Sequence, residues 1–318
     1  MSFAGGGSDI PAFYHRCGGA VVSATINRFV YITVNKKFDS AIRVSYSKTE
    51  EVDSVDQIEH PLVRACLQLL EISGGVEITS IADIPSHGSG LGSSSAFTVG
   101  LLHALHAYCH QYVSREDLSA DACKVEIDLC KEPIGRQDQY SAAFGGLNFL
   151  QFYPDDRVTV QPILCAKPAM ERLQQSIIVF YTGVARDTRS ILAKQSQAIE
   201  SDPLKRKIVE RIASLAYTLN RELQNNRLDT LGEILHENWM LKKELAPNVS
   251  NPQVDLWYEQ ARKAGAEGGK LLGAGGGGFL MFYAPPERHD AVTSALDRLR
   301  RMDFQLEPRG SRIILYQP

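Results

Sequence analysis

The chain has 318 residues, a mass of 35.2 kDa, a formal net charge of −3 and an isoelectric point near 6.3. Hydrophobic residues make up 44% and charged residues 22%, an ordinary globular composition that argues against a strongly basic nucleic-acid surface. At roughly 100–200 residues per domain the length implies about two domains, with cores large enough to need no staples.

Residues 20–34, AVVSATINRFVYITV, are rich in β-branched and aromatic residues and predict one or two strands; residues 41–46 predict another. Apolar spacing predicts a helix over 60–72, and the alternation of VEITSI a strand over 76–81. A Gly/Ser-rich turn precedes an apolar run, 96–108, read as a buried helix. Leu118, Ala122, Val125 and Leu129 predict a helix over 116–131, ended by Pro133. A hairpin is expected from 147–152 and 157–163. In the second half, 176–181 predicts a strand, and helical patterns cover 188–200, 203–225, 228–244 and 253–264. A glycine-rich segment, 265–278, runs into a strand at 279–283; a helix over 286–301 and a last strand over 312–316 follow. Both halves mix helices and strands without regular β–α alternation, so the fold class is α+β with a boundary near 166–175. The domains are then 1–170, carrying the candidate phosphate loop, and 171–318.

The six cysteines form no C-x-x-C pair and suit reduced thiols in a cytoplasmic protein. The start MSFAGGGSDIP has no basic or apolar segment of a secretory signal. The uncharged stretch 84–114 is too interrupted by serines and by His87, His103, His106 and His110 to cross a membrane. The three histidines on the 96–108 pattern and beyond read as polar or packing positions, because no carboxylate or cysteine spacing supports a metal.

Four segments carry chemistry. Residues 85–97 read PSHGSGLGSSSAF. Gly88, Gly90 and Gly92 let the backbone bend and approach a ligand. The following helix start offers N–H groups and a positive dipole end suited to a triphosphate. No Walker Gly-Lys-Ser/Thr follows, and a plain helix-capping turn is the bland alternative. Next, Glu126 lies on a predicted helix, and Asp138 follows across a Pro/Gly turn with Arg136 beside it. A kinase must set one carboxylate near the acceptor hydroxyl and hold magnesium on the phosphates; solvated surface carboxylates are the alternative. Four consecutive glycines, Gly275 to Gly278, are entropically costly for a simple turn and suggest backbone against a ligand or another loop, with a hairpin or bulge as alternative. Finally, the turn Ala4–Asp9 could offer the Asp9 carboxylate to sugar hydroxyls, with an unremarkable N-terminal turn as the alternative.

The string P-x-x-x-G-x-G-L-G-S-S-S-A resembles the nucleotide loop of the GHMP kinases, the family of galactokinase, homoserine kinase, mevalonate kinase and phosphomevalonate kinase. E-x(8)-G-x-x-D-Q and K-x-x-G-A-G-G-G-G, in order, resemble the family's other motifs. The resemblance implies ATP and Mg2+ as cofactors. The nucleotide would lie on Gly88, Ser89, Gly90, Leu91, Gly92, Ser93, Ser94 and Ser95. The metal would be held by Ser94, preferred over Ser93, and by Glu126. Asp138 would be the catalytic carboxylate that accepts or orients the acceptor hydroxyl. Arg136 would neutralise phosphate charge or hold Asp138 ionised, and its alternative is an ordinary surface arginine. The implied fold is a ribosomal S5 domain 2-like N-terminal domain with a ferredoxin-like α+β C-terminal domain.

S-F-A-G-G-G-S-D, then G-G-A-V-V-S-A-T-I, E-P-I-G-R-Q-D-Q-Y-S-A-A-F-G-G and L-H-E-N-W-M-L-K-K, are similar to the bacterial heptose 7-phosphate kinase subgroup of this family. That implies a C1 (anomeric) kinase acting on a sugar phosphate, with Asp9, Gly6, Gly7, Gly275 and Gly276 against the substrate. Gly6 and Gly7 stand where galactokinases carry a Glu-His pair, which implies room for a longer exocyclic chain. Arg43, Arg136, Arg186, Arg189 and Lys270 are candidate cations for the sugar's phosphate. Two alternatives stand beside this: another sugar, L-fucose or an octose derivative, and a catalytically weak binding protein. The family arginine expected just before Ser2 has no counterpart in a chain that starts at Met1. That implies a shortened N-terminus or a weaker catalyst. Neither nucleic acid nor membrane is expected as a partner, and monomer and homodimer both stay open.

Overall fold

The computed structural model describes residues 1–84, 90–184 and 188–317. The chain divides into two compact units of interleaved segments. The first takes Met1–Asn27, residues 90–91 and Gly146–Pro308; the second takes residues 28–84, Gly92–Gly145 and residues 309–317. A division at 170/171 follows chain order instead and stands as a proposal.

The first unit holds two antiparallel sheets. One orders the strands Ser2–Ala4, Gly19–Ala24, Leu147–Phe152 and Val158–Pro162. Every residue of Gly19–Ala24 is buried, as a strand covered on both faces requires. The other orders Gly268–Leu271, Phe279–Tyr283, Ile177–Tyr181 and Arg300–Arg301. Helices cover them. The longest, Pro203–Gln224, starts on an Asp202 cap that accepts the Leu204 N–H at 2.8 Å, with proline in its first turn. Its Val209, Ile212, Leu215, Ala216, Leu219 and Leu223 recur at helical spacing and are buried.

The second unit has one mixed sheet, ordered Val30–Lys36, Val76–Ala82, Ile42–Ser45, Thr49–Val52; only the pair 42–45/76–79 runs parallel. The helices Pro61–Leu69, Ser93–Tyr108, Arg115–Cys123 and Gln137–Phe144 enclose its core. The helix expected over 116–131 changes pitch: after Cys123 it continues as a π-helix, Lys124–Leu129, in which the Cys130 N–H reaches back five residues to Val125 O at 2.9 Å.

Two expectations need correction. The helix over 286–301 is a 3₁₀ turn, Pro286–Arg288, and a short helix, His289–Ala295; Arg300–Arg301 pair instead as an edge strand with Tyr181 and Phe180. Residues 312–316 form no strand. Their apolar run is exposed rather than paired in a sheet, and side chains fasten the segment to helix Ser93–Tyr108 and its end, Ser311 to His103 at 2.9 Å and Tyr316 to His110 at 2.6 Å. Sequence reasoning also missed the helix Pro11–Cys17, whose amphipathic stripe is under two turns long. Among the described residues no helix is long and apolar enough to cross a membrane. Among the described residues the six cysteines form no disulfide.

Candidate active site

In the second unit the serine run forms the first turn of helix Ser93–Tyr108. Its N-cap is Gly92 at φ +70, so no side chain caps this end. Sixteen residues of aligned peptide dipoles end here, an arrangement suited to an anion. Gly92 is a glycine for a second reason: a Cβ there would stand 3.1 Å from Cγ of Asp138. The structure thus sets Asp138, half-buried in the first turn of helix Gln137–Phe144, against the end of the serine helix. Arg136 is the residue immediately before that helix.

Glu126, in the π-helix, is fully buried. Its Oε1 accepts the Ser94 hydroxyl at 2.8 Å; its Oε2 accepts the Ser95 hydroxyl at 2.7 Å and the Gln139 amide at 2.6 Å. Burial pushes the Glu126 carboxyl up, against the three hydrogen bonds, and the nearby Asp138 charge adds to the rise. Ser95 and Gln139 are buried, whereas Ser94 is exposed. An exposed hydroxyl on a carboxylate oxygen is a hard-oxygen donor set, which fits a cation such as Mg2+.

The first unit holds the remaining residues. The N-terminal turn is built on Ser8, whose Oγ donates to Gly5 O at 2.7 Å and accepts the Ala20 N–H at 3.0 Å. Gly5, at φ +96, admits no Cβ, which would fall 1.9 Å from Ala20 O. Gly6 is buried and Gly7 partly so; the Gly7 N–H donates to Asp9 Oδ1 at 2.9 Å. Asp9 is 2% exposed. The second glycine cluster links strands Gly268–Leu271 and Phe279–Tyr283. Gly275, at φ +122, and Gly276 lie against Val249, whose carbonyl accepts the Gly276 N–H at 3.0 Å. Gly90 packs on this cluster: a Cβ on Gly90 would sit 2.4 Å from Leu272 O. Leu91 packs against the apolar core of the same unit.

Three supports of the glycine cluster escaped sequence reasoning. Lys242 donates to Gly273 O, Gln195 to Ala274 O at 3.1 Å, and Asn251 to Gly276 O at 3.3 Å. Asn238 likewise accepts the Gly5 N–H at 3.2 Å. Asn238 and Lys242 both fall in the quoted stretch LHENWMLKK, which was the available signal. Gln139 was missed as a partner of Glu126, although it directly follows Asp138. Gly88 and Ser89, like Arg186, lie outside the described residues. Of the other candidate phosphate cations, Arg43 and Arg189 are exposed, and Arg43 is 3.7 Å from Glu77. Lys270 is fully buried and donates to Phe3 O at 3.4 Å, so its ammonium does not face a solvent-borne anion. Burial holds it well below the ordinary lysine range; Lys242 acts in the same direction and Asp9 against it.

The chain matches the GHMP kinases N terminal domain over residues 61–146 and the GHMP kinases C terminal family over residues 219–302, together more than half its length. It belongs to the GHMP kinase family and is an ATP-dependent phosphotransferase. It is 28% identical to the D-glycero-alpha-D-manno-heptose 7-phosphate kinase of Campylobacter jejuni, over 98% of this chain and 95% of that one. It is also 28% identical to the bifunctional fucokinase/GDP-fucose pyrophosphorylase of Arabidopsis thaliana, over 89% of this chain but 29% of that one. Among solved structures, a D-glycero-D-manno-heptose 1-phosphate kinase from Bacteroides thetaiotaomicron aligns with a TM-score of 0.78 at 27% identity, covering 98% and 94% of the two chains. Similarity to a heptose-phosphate kinase supports a sugar kinase.

Proposed function

We propose that the chain transfers the γ-phosphoryl group of ATP to the anomeric C1 hydroxyl of D-glycero-α-D-manno-heptose 7-phosphate, giving the 1,7-bisphosphate. The observation that carries the substrate is the match to the Campylobacter jejuni enzyme along nearly the whole of both chains. The geometry supports the chemistry. The uncapped start of helix Ser93–Tyr108 receives nucleotide phosphate on its N–H groups. Ser94 and Glu126 Oε1 would hold Mg2+, which when bound neutralises phosphate charge. Asp138, kept beside Gly92, accepts or orients the acceptor hydroxyl proton, and Arg136 next to it opposes the developing negative charge. Asp9 hydrogen-bonds the sugar's ring hydroxyls, with Gly6, Gly7, Gly275 and Gly276 leaving room for the exocyclic chain.

Two names among the relatives bear on the test. The heptose kinases differ in which phosphate their names carry, and the Arabidopsis relative is named for fucose. ADP release with Mg-ATP is therefore measured against heptose 7-phosphate, heptose 1-phosphate, free heptose, L-fucose, galactose and mevalonate. Turnover confined to heptose 7-phosphate is expected. Asp138→Asn should lower kcat on the order of 10²–10⁴-fold, the usual span for a lost general base. Preferred turnover of fucose would replace the sugar; ATP binding without turnover of any acceptor would mark a binding protein.

A further inference from the structure

The two oxygens of Glu126 are not equivalent. Oε2 accepts two hydrogen bonds, from Ser95 at 2.7 Å and Gln139 at 2.6 Å, and both donors are buried, Ser95 at 3% and Gln139 at 0% exposure. Oε1 accepts one, from Ser94, the exposed serine. A carboxylate oxygen that already takes two short bonds from buried donors has little lone-pair capacity left. Among the described residues, it is the Oε1 side of this buried carboxylate that meets an exposed hydroxyl. Neither clamp residue can be replaced by water, because both sit inside the packed second unit. The three donors come from two elements, the first turn of the serine helix and the helix that carries Asp138, and they meet a carboxylate on a third, the π-helix.

We infer that Ser95 and Gln139 are positioning residues: they hold Glu126 by Oε2 so that it offers Oε1 alone, as a one-oxygen ligand, to a divalent cation at Ser94. The π-turn supplies the backbone that brings Glu126 between them. Gln139 follows Asp138 in the chain, so one helical turn both carries the carboxylate expected to face the acceptor and fixes the carboxylate expected to face the metal. Displacement of the first is thereby coupled to displacement of the second. The inference rests on the Ser94–Glu126 metal reading given above.

The test measures ATP affinity by calorimetry, once with excess Mn2+ and once with EDTA, and takes the ratio as the metal-dependent part. Ser95→Ala fits a first helical turn and removes one clamp; Gln139→Met keeps the length of the side chain and removes the other. Each should cut the ratio about tenfold or more, the usual effect of losing a group that orients a metal ligand. ATP affinity in EDTA should stay at the wild-type value in Gln139→Met, which a general loosening of the fold would not spare; Ser95→Ala is read through the ratio alone, in which a loss common to both conditions cancels. If Gln139→Met does not fold, Ser95→Ala carries the test alone. Ser94→Ala is the control for the underlying reading. A Ser94→Ala ratio equal to wild type would overturn the metal site itself. A ratio lost in Ser94→Ala but unchanged in Ser95→Ala would overturn the clamp and leave the site standing.

Discussion

Glu126 in the second unit and Lys270 in the first are both fully buried ionisable side chains, and they are accommodated in opposite ways. Glu126 has three hydrogen bonds from neutral donors, two of them buried. Lys270 has a single bond to Phe3 O at 3.4 Å. A buried charge needs either enough partners to replace its water or a proton change that removes the charge. Glu126 follows the first route, with burial still raising its pKa. Lys270 follows the second, its ammonium driven towards the neutral amine by burial and by Lys242. The lesson is that equal burial does not imply equal dependence on the charge: one pocket is built around its carboxylate, the other tolerates its amine.

Substitutions can break that contrast, ranked from the largest expected loss of stability to none. Glu126→Met strands the Ser95 and Gln139 donors without their acceptor. At about 1–3 kcal/mol for each buried unpaired donor, the chain should lose on the order of 3 kcal/mol or more, read from urea midpoints. The two glycines of the proposed nucleotide loop come next, because one faces backbone and the other a side chain. Gly90→Ala meets Leu272 O, which cannot swing away, so about 1–3 kcal/mol of overpacking adds to about 1–2 from the left-handed φ. Gly92→Ala carries only the latter cost, about 1–2 kcal/mol, but it pushes on Asp138. Its kcat should fall on the order of 10²-fold, as for a catalytic group misplaced by about an ångström. Equal kcat in Gly92→Ala and wild type would place Asp138 outside the chemistry.

Lys270→Met lies at the bottom of the series and should cost nothing at neutral pH. The sign follows from linkage: with its folded pKa lowered, the native chain binds fewer protons here than the unfolded chain. Wild-type stability therefore rises with pH from the depressed value up to the ordinary lysine value near 10.4, with a slope of at most about 1.4 kcal/mol per pH unit. The methionine variant should lack that slope and equal or exceed wild type at pH 7, measured by urea unfolding between pH 7 and 10. A wild-type advantage at pH 7 would show that Lys270 is a needed cation.

Much of this was legible in the sequence because glycine and proline mark their own geometry. The loop glycines Gly90 and Gly92 and the run 275–278 stand at positive φ or against backbone, as so much glycine implies. Long amphipathic stripes such as 203–225 were equally plain. Side-chain partners were not, because hydrogen-bond pairs such as Glu126–Gln139 and Lys242–Gly273 join residues whose spacing obeys no period. The π-turn was invisible for a related reason: Leu118, Ala122, Val125 and Leu129 fit an α-helix, and only the bonding pattern shows the wider pitch. The apolar run in 312–316 has the composition of a strand, but composition alone cannot show whether a sheet edge waits for it.

The interleaving of the two units has a consequence for how the molecule is made. The sheet that contains Gly19–Ala24 pairs it with Leu147–Phe152, and the same unit closes only with residues up to Pro308. During synthesis Gly19–Ala24 can pair with Ser2–Ala4 at once, but its other edge must wait for Leu147–Phe152, and the unit for residues up to Pro308, to leave the ribosome. Contacts this distant in sequence slow folding, since long loops must close before they are rewarded. The second unit, whose segments 28–84 and Gly92–Gly145 are nearly contiguous, is the part able to form early.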